Sequence, residues 1–363
     1  MMQSNRYDPN YAAPPGALIQ EYLDEHRISA RELARRCGRS AKLITEIVLG
    51  KAALEPDTAL QLERVLELDA SVWLQMEAAY RLHLAREEDS QRLAEFESWV
   101  SHFPLEELFE RGFLEKTKNS ADKVHQFIKF FGVGSVEACQ DRFKEMTEVA
   151  YRHSPTFMSS KESLLVWLRM GEIDAERIQC KDYDRHSFLD ALRKIRTLTN
   201  KPLEKFVPEM TTLCSRAGVA FVIVRPVSRL ALSGISRWLS PRKALIQQTM
   251  RHLSNDHFWF TFFHEAAHLL LHSRKSVFID KGNSGNANPS EELEANDWAA
   301  NFLIPKQALE DFIEAGSFDE HSVREFAKEQ AIHPGIAVGQ LQHRGAIGFN
   351  QLNKLRVWFE WAE

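Results

Sequence analysis

Cysteine is scarce and scattered in this chain. Cys37, Cys139, Cys180 and Cys214 lie far apart with no CxxC pair, which excludes a zinc ribbon or a disulfide framework and predicts reduced, mostly buried thiols. Long apolar runs are missing too: none approaches the roughly 18 residues that a membrane span needs. The opening MMQSNRYDPNYAAPPG has no apolar block before a small-residue cleavage site, so no secretory signal is read and a cytoplasmic location is expected. Nor is there an excess of positive charge. A formal net charge of -5 argues against a protein that coats nucleic acid over its whole surface, while leaving room for one basic face. No internal repeat or low-complexity block suggests a solenoid or a long tail, although the first dozen residues are expected to be disordered. What remains, 44% apolar and 27% charged over 363 residues, is the composition of a soluble globular protein long enough for two or three domains.

Helical periodicity dominates the pattern. Residues 16 to about 95 read as short helices, with Leu18, Ile19, Tyr22 and Leu23, then Leu33, Leu43, Ile44 and Ile47, recurring at three and four spacing. Ser29 stands as an N-cap with Glu32 three residues on, as in a capping box, and Gly38 closes that helix. A second helix runs from about Ser40 to near Gly50. Pro56 and Asp57 open a third, with Ala59, Leu60, Leu62, Val65 and Leu66 along one stripe. A longer charged helix is predicted from Ser71 to Phe96. Residues 100–217 continue as helices interrupted at Gly112, Gly132, Gly134, Pro155 and Gly171, without a catalytic signature.

The pattern changes near Gly218, where VAFVIV, LALSGISRW and KALIQQTM read as strands of a small sheet. A helix is predicted from about Asp256 to His272, then a Gly/Asn-rich loop (KGNSGNANPS), then helices over about 290–304, 306–315, 319–330, 335–343 and 350–359. The C-terminal part is thus α+β, and the chain as a whole is mainly α with a small sheet.

The strongest chemical signal lies in FWFTFFHEAAHLLLH. His264 and His268, four apart, share a helix face and can hold one metal ion, and Glu265 between them can take a proton from a water molecule. A helix this apolar tolerates His-Glu-His poorly unless the groups are ligated. Imidazole suits Zn2+, and three protein ligands would leave a fourth position open. The third ligand is expected from the carboxylates around ELEANDW. Glu294 is favoured, Glu291 one turn earlier is its chief rival, and Glu292 is expected to point elsewhere. His272 is expected to contact or cap rather than ligate, and Asp297 is a candidate for orienting a ligand histidine.

FTFFHEAAHLLLH followed by ELEANDWAANFLIP, with LALSGIS before it, resembles the ImmA/IrrE family of metallo-endopeptidases over about residues 205–310. The resemblance implies a zincin-like fold of the gluzincin kind, with His264, His268 and Glu294 as zinc ligands and Glu265 as general base. It also implies a repressor or antitoxin protein as substrate. Trp298 stands where phenylalanine is usual.

Near the start, ISARELARRCGRSAKLITEIVLGK places a helix, a turn at Cys37 to Arg39 and a second helix at helix-turn-helix lengths. Residues 27–51 carry seven Lys/Arg against two Glu, the local excess that a phosphate-facing surface needs. If the second helix enters a major groove, Arg39, Ser40, Lys42 and Thr45 are placed to meet base edges or phosphates, while Leu43, Ile44 and Ile47 face the core. PPGALIQEYL, this helix pair, LGKAAL and the PDTALQLERVLELD helix resemble the HigA-like antitoxins of the XRE-type helix-turn-helix family over roughly residues 14–82. That implies a homodimer on a DNA operator.

The expected organisation is a helix-turn-helix domain over 1–98, a helical coupling region over 99–205 and a zinc metallopeptidase domain over 206–363. The expected function is a DNA-binding transcriptional regulator with zinc-dependent endopeptidase activity. The alternative is an antitoxin or transcription factor whose metal domain is structural or only binds a partner protein.

Overall fold

The computed structural model describes residues 12–153, 160–272 and 289–360. The first eleven residues, Pro155 and most of the KGNSGNANPS loop lie outside them. The described residues are mainly helical, with one three-stranded mixed sheet among them. The chain divides into two compact units, residues 1–97 with 117–125, and residues 98–116 with 126–363. No helix among the described residues is long and apolar enough to cross a membrane.

The first unit contains α1 (Pro15–His26), α2 (Ala30–Cys37), α3 (Ala41–Val48), α4 (Pro56–Leu66) and α5 (Ala70–Ala94). Ile19, Leu33, Ile44, Leu62 and Trp73 are fully or almost fully buried and form its centre. Local signals set the helix ends. Ser29 accepts from the Glu32 amide at 3.2 Å, and Gly38 closes α2 at φ 65°. The Glu32 carboxylate pairs with Arg35 and Arg36 at 2.9 and 3.0 Å, which is where the expected capping box differs. Gly16 lets α1 pass against the end of α3, since a Cβ there would sit 2.3 Å from the Val48 carbonyl oxygen.

The rest of the helices are α6 (Glu97–Val100), α7 (Leu105–Glu110), α8 (Ser120–Phe131), α9 (Val136–His153), α10 (Lys161–Glu176), α11 (Arg185–Arg196) and α12 (Leu203–Arg216). After them come β1 (Val219–Ile223), β2 (Gly234–Ser240), β3 (Lys243–Gln248) and α13 (Asn255–Leu271). Then follow α14 (Pro289–Leu303), α15 (Lys306–Ala315), α16 (Glu320–Glu329) and α17 (Pro334–His343). The sheet order is β1-β3-β2, with β1 parallel and β2 antiparallel to β3, and Phe221 and Ser236 both opposite Ile246. Helix α13 packs against β2 and β3 on one side and against α14 and α17 on another. This enclosure explains its nearly continuous apolar run, from Phe258 and Trp259 to Leu270.

Helix α10 is buried on almost every side, which explains the run Leu164–Met170. Its Trp167 donates Nε1–H to the Val224 carbonyl at 3.1 Å, and the Trp167 carbonyl accepts from Gln247 Nε2 at 2.6 Å. Glu172 receives Arg237 at 2.7 Å, Arg142 at 2.6 Å and Arg169 at 3.0 Å. Burial alone would raise the Glu172 carboxyl, but the charges of Arg237 and Arg142 and the hydrogen bonds from Arg169 and Arg142 hold it below its usual value.

The helix expected over 350–359 does not form. Leu352 turns left-handed at φ 60°, Asn353–Leu355 make one 3-10 turn, and the chain then runs extended beside the start of α13. There the Val357 carbonyl accepts from the Asn255 amide at 2.9 Å, so tertiary pairing overrides the helical spacing of these apolar residues. The cysteines are free; Cys37, Cys139 and Cys214 are buried, and burial pushes the Cys139 thiol up to about 12.

Candidate metal centre and nucleic-acid surface

Helix α13 places His264 and His268 one turn apart, their Nε2 atoms separated by 3.0 Å. Glu292 on α14 faces both, with its oxygens 3.5 Å from His264 Nε2 and 3.3 Å from His268 Nε2. Among the described residues, this trio is the cluster with metal-binding geometry, its ligand atoms all lying within 4.8 Å of one another. Burial pushes the Glu292 carboxyl up, but the hydrogen bonds and charge of the two histidines draw it down to about 2. Burial likewise lowers His264, and Glu292 and Glu265 more than compensate, so its net shift is upward.

The carboxylate that the structure brings to the two histidines is thus Glu292, not the expected Glu294. Glu294 is 60% exposed at its side chain and lies 3.5 Å from His272 Nε2, away from the trio. The reason is helix phase. Ala295, Ala299 and Leu303 are fully buried and mark the inward stripe of α14. At about 100° per residue Glu292 sits on that stripe, whereas Glu294 is turned about 200° from it. Glu291, the rival, is about 100° away, on the same side of the helix as Glu294. The small-residue stripe was the signal that could have identified Glu292. Asn296, one turn after Glu292, hydrogen-bonds His264, while Asp297 is exposed.

Glu265 is 6% exposed, and among the described residues its buried Oε2 has no hydrogen-bond partner. Its carboxyl lies against the start of β2, where a Cβ on Gly234 would come within 3.4 Å of Glu265 Oε1 and 2.8 Å of Thr261 Cγ2. The glycine of LALSGIS thus makes room for the carboxylate. His272, 8% exposed at its side chain, has its Nδ1 2.9 Å from the Nδ1 of His268, the ring nitrogen opposite the one facing Glu292.

An orphaned buried carboxylate beside two converging imidazole nitrogens and a second carboxylate is a costly arrangement without a cation. These donors fit a divalent metal that accepts nitrogen and oxygen.

In the first unit, α3 exposes Ser40, Lys42 and Thr45, while Ile44 and Ile47 are buried. Ser40 Oγ accepts from the Leu43 amide at 3.1 Å, Thr45 Oγ1 donates to the Ala41 carbonyl at 2.8 Å, and Lys42 lies 3.8 Å from Glu46. Arg39 is half-buried and donates to Gln61 Oε1 at 2.5 Å, so it is the most tethered of the four.

Comparison with known proteins reaches both features. The IrrE N-terminal-like domain family (Peptidase M78) matches residues 250–336, a range that contains His264, Glu265, His268 and Glu292. An uncharacterized HTH-type transcriptional regulator, YddM, of Escherichia coli K12 is 38% identical over 68 residues, 19% of this chain and 72% of the relative. Virulence-associated protein I of Dichelobacter nodosus is 40% identical over 83 residues, 23% of this chain and 76% of that protein. Among solved structures, an addiction module antidote protein of a HigA family from Coxiella burnetii is 25% identical; the match covers 23% of this chain and 91% of that one, with a TM-score of 0.22. The chain belongs to the helix-turn-helix regulator family of these relatives over part of its length, and carries an IrrE N-terminal-like domain.

Proposed function

We propose that this protein is a DNA-binding regulator carrying a zinc-dependent endopeptidase, with His264, His268 and Glu292 holding the metal. The observation that carries the reading is the convergence of these three donors beside Glu265, whose buried Oε2 has no partner. A purely structural site has no use for such a carboxylate. When bound, zinc supplies Lewis acidity toward a peptide carbonyl and the attacking water. Glu265 takes the proton from that water and passes it to the departing amine nitrogen. Gly234 keeps the wall beside Glu265 free of a side chain that would displace it.

His272 and Glu294 are assigned a positioning role. With His268 facing the metal through Nε2, its Nδ1–H donates to His272 Nδ1, and His272 Nε2 lies 3.5 Å from the Glu294 carboxylate. Such contacts behind a ligand fix its tautomer and ring plane. Glu294, expected from the sequence to be a ligand, thereby acts on the metal through two imidazoles.

At the other end, the helix-turn-helix unit reads a DNA operator through α3, with Lys42 on phosphate and Ser40 and Thr45 near base edges, in a homodimer. Arg39 contributes from its tether to Gln61. The substrate is a protein, with a repressor or an antitoxin as the class to search first.

The test is the metal content of purified wild type beside His264→Ala, Glu292→Ala and Glu294→Ala. About one zinc per chain is expected, lost in the first two variants and retained with weakened affinity in the third. Full retention in Glu292→Ala with loss in Glu294→Ala would restore Glu294 as the ligand. A metal-free wild type would leave a regulator acting by binding alone.

A further inference from the structure

The last described residues form a strap over the start of α13. Phe359 donates its amide to the carbonyl of Leu253, a residue in the left-handed region at φ 54°, and packs its ring 5.9 Å from Phe206 and 5.6 Å from Phe258. Arg356 pairs with Asp256 at 3.0 Å and donates to Gln342 Oε1 at 2.5 Å.

Asn255, the first residue of α13, sits at the centre of this contact. Its amide donates to the Val357 carbonyl at 2.9 Å, and its Oδ1 accepts from the Val357 amide at 3.2 Å. The second bond fixes which end of the side-chain amide faces the strap, so its nitrogen is the atom 2.7 Å from His333 Nδ1. The Gly335 amide donates to the same Nδ1 at 3.0 Å, which makes His333 the N-cap of α17. A ring nitrogen that accepts twice carries no proton. His333 is therefore neutral, with its hydrogen on Nε2. Gly335 is needed for the approach, since a Cβ there would lie 2.6 Å from Asn255 Oδ1 and 3.1 Å from the Cα of Arg356.

A proton on Nδ1 would confront two donors and the positive end of α17. Burial and the charge of Arg324 on α16 act in the same direction, holding His333 below the ordinary 6.5 of an imidazole. The other charges around it are taken or screened. Asp256 of α13 is held by Arg356, Lys201 before α12 is held by Glu209 at 2.7 Å, and Lys354 and Arg324 share Glu320. Glu204 and Glu360 line the same cavity of about 490 Å³ as His333, but both are exposed to water.

We infer that His333 is a proton-sensitive latch for this strap: a proton on Nδ1 removes both accepted bonds, loosens Asn255 and lets residues 356–360 leave the start of α13. The docked strap excludes a proton that the released one accepts at about 6.5. Docking is thus complete above that pH and is lost as pH falls through 6.5 toward the lower docked value. Release uncovers Phe206, Phe258 and Trp259, an aromatic floor on and beside the helix that carries His264 and His268. The latch is independent of the endopeptidase reading.

The test is hydrogen–deuterium exchange of the full-length protein at about pH 7.5, 6.5 and 5.5, with labelling times scaled to equal intrinsic exchange. In wild type, protection of the peptides containing Gly335 and Val357 should fall at least about tenfold over this range, while β1 keeps its protection. His333→Asn retains a side-chain oxygen to cap α17 but does not titrate, so its strap should be as protected in acid as at neutral pH. Asn255→Asp gives a protonated His333 an acceptor and should likewise abolish the acid loss. Constant protection in wild type, or a His333→Asn strap that loosens in acid as wild type does, overturns the latch. If His333→Asn leaves the strap unprotected at every pH, Asn255→Asp decides: lost acid sensitivity supports the latch, and wild-type sensitivity overturns it.

Discussion

The two functional regions are built on opposite principles. Helix α3, proposed above to meet DNA, presents Ser40, Lys42 and Thr45 to solvent, each held by at most a local contact, over a core of Ile44 and Ile47. The candidate metal groove buries its chemistry: Glu265 and His268 are 6% and 5% exposed, and His268 lies within 3.3 Å of His264, His272 and Glu292. An exposed surface adds up many small contributions, screened by salt. A buried site fails as a unit, because removing one member leaves another unpaired in a medium of low polarity. Single substitutions should therefore be severe in the groove and mild on α3.

The sharpest form of that contrast is Glu265→Gln. It is nearly isosteric and should keep zinc, yet peptide cleavage should fall by about 10²–10⁴-fold, the usual worth of a general base. Cleavage kinetics beside metal analysis decide it; near wild-type turnover would show that the buried carboxylate does not carry the proton.

Next in size is Glu172, where the charge is buried for architecture instead of chemistry. Glu172→Gln leaves Arg237 and Arg142 short of their partner, and a broken buried pair costs about 3–5 kcal/mol, to be read from urea unfolding. Because folding lowers the Glu172 carboxyl from about 4.5, its stabilisation is complete above that pH and is lost as pH falls through the lower folded value. Wild type should therefore lose stability in acid more steeply than the variant. Parallel pH profiles for the two proteins would contradict this.

Sequence carried the local half of this contrast and missed the relational half. His264, Glu265 and His268 were readable because their spacing lies within one helix, as were Ser29 and Gly38 at the ends of α2. Glu292 was not, because choosing among three neighbouring carboxylates required the phase of α14 against α13, and that phase is set by burial of Ala295, Ala299 and Leu303. The pairing of Val357 with Asn255 was invisible for the same reason: apolar spacing over 350–359 imitates a helix, and only the partner at the start of α13 decides otherwise. The tie between Arg39 and Gln61, 22 residues on, likewise appears only once α2 and α4 are packed.

A smaller effect tests whether the cooperativity of the groove extends behind the ligands. His272→Phe keeps a ring but removes the acceptor for His268, and zinc affinity measured against a competing chelator should fall about 10–100-fold. Glu294→Gln should fall less, since its contact is longer and more exposed. Unchanged affinity in His272→Phe would confine the unit to the three donors and Glu265.

The mildest change belongs to α3, and it could break the comparison altogether. Lys42 is exposed and lies 3.8 Å from Glu46 in a pair contributing little to folding, so Lys42→Ala should leave thermal stability unaltered. On operator DNA it should weaken binding uniformly across sequences and reduce the slope of log affinity against log salt by about one, the signature of one lost phosphate contact. Thr45→Ala should instead change affinity for some operator sequences more than others. A Lys42→Ala variant that abolished binding outright, at all salt concentrations, would mean that α3 works as an all-or-none site like the groove.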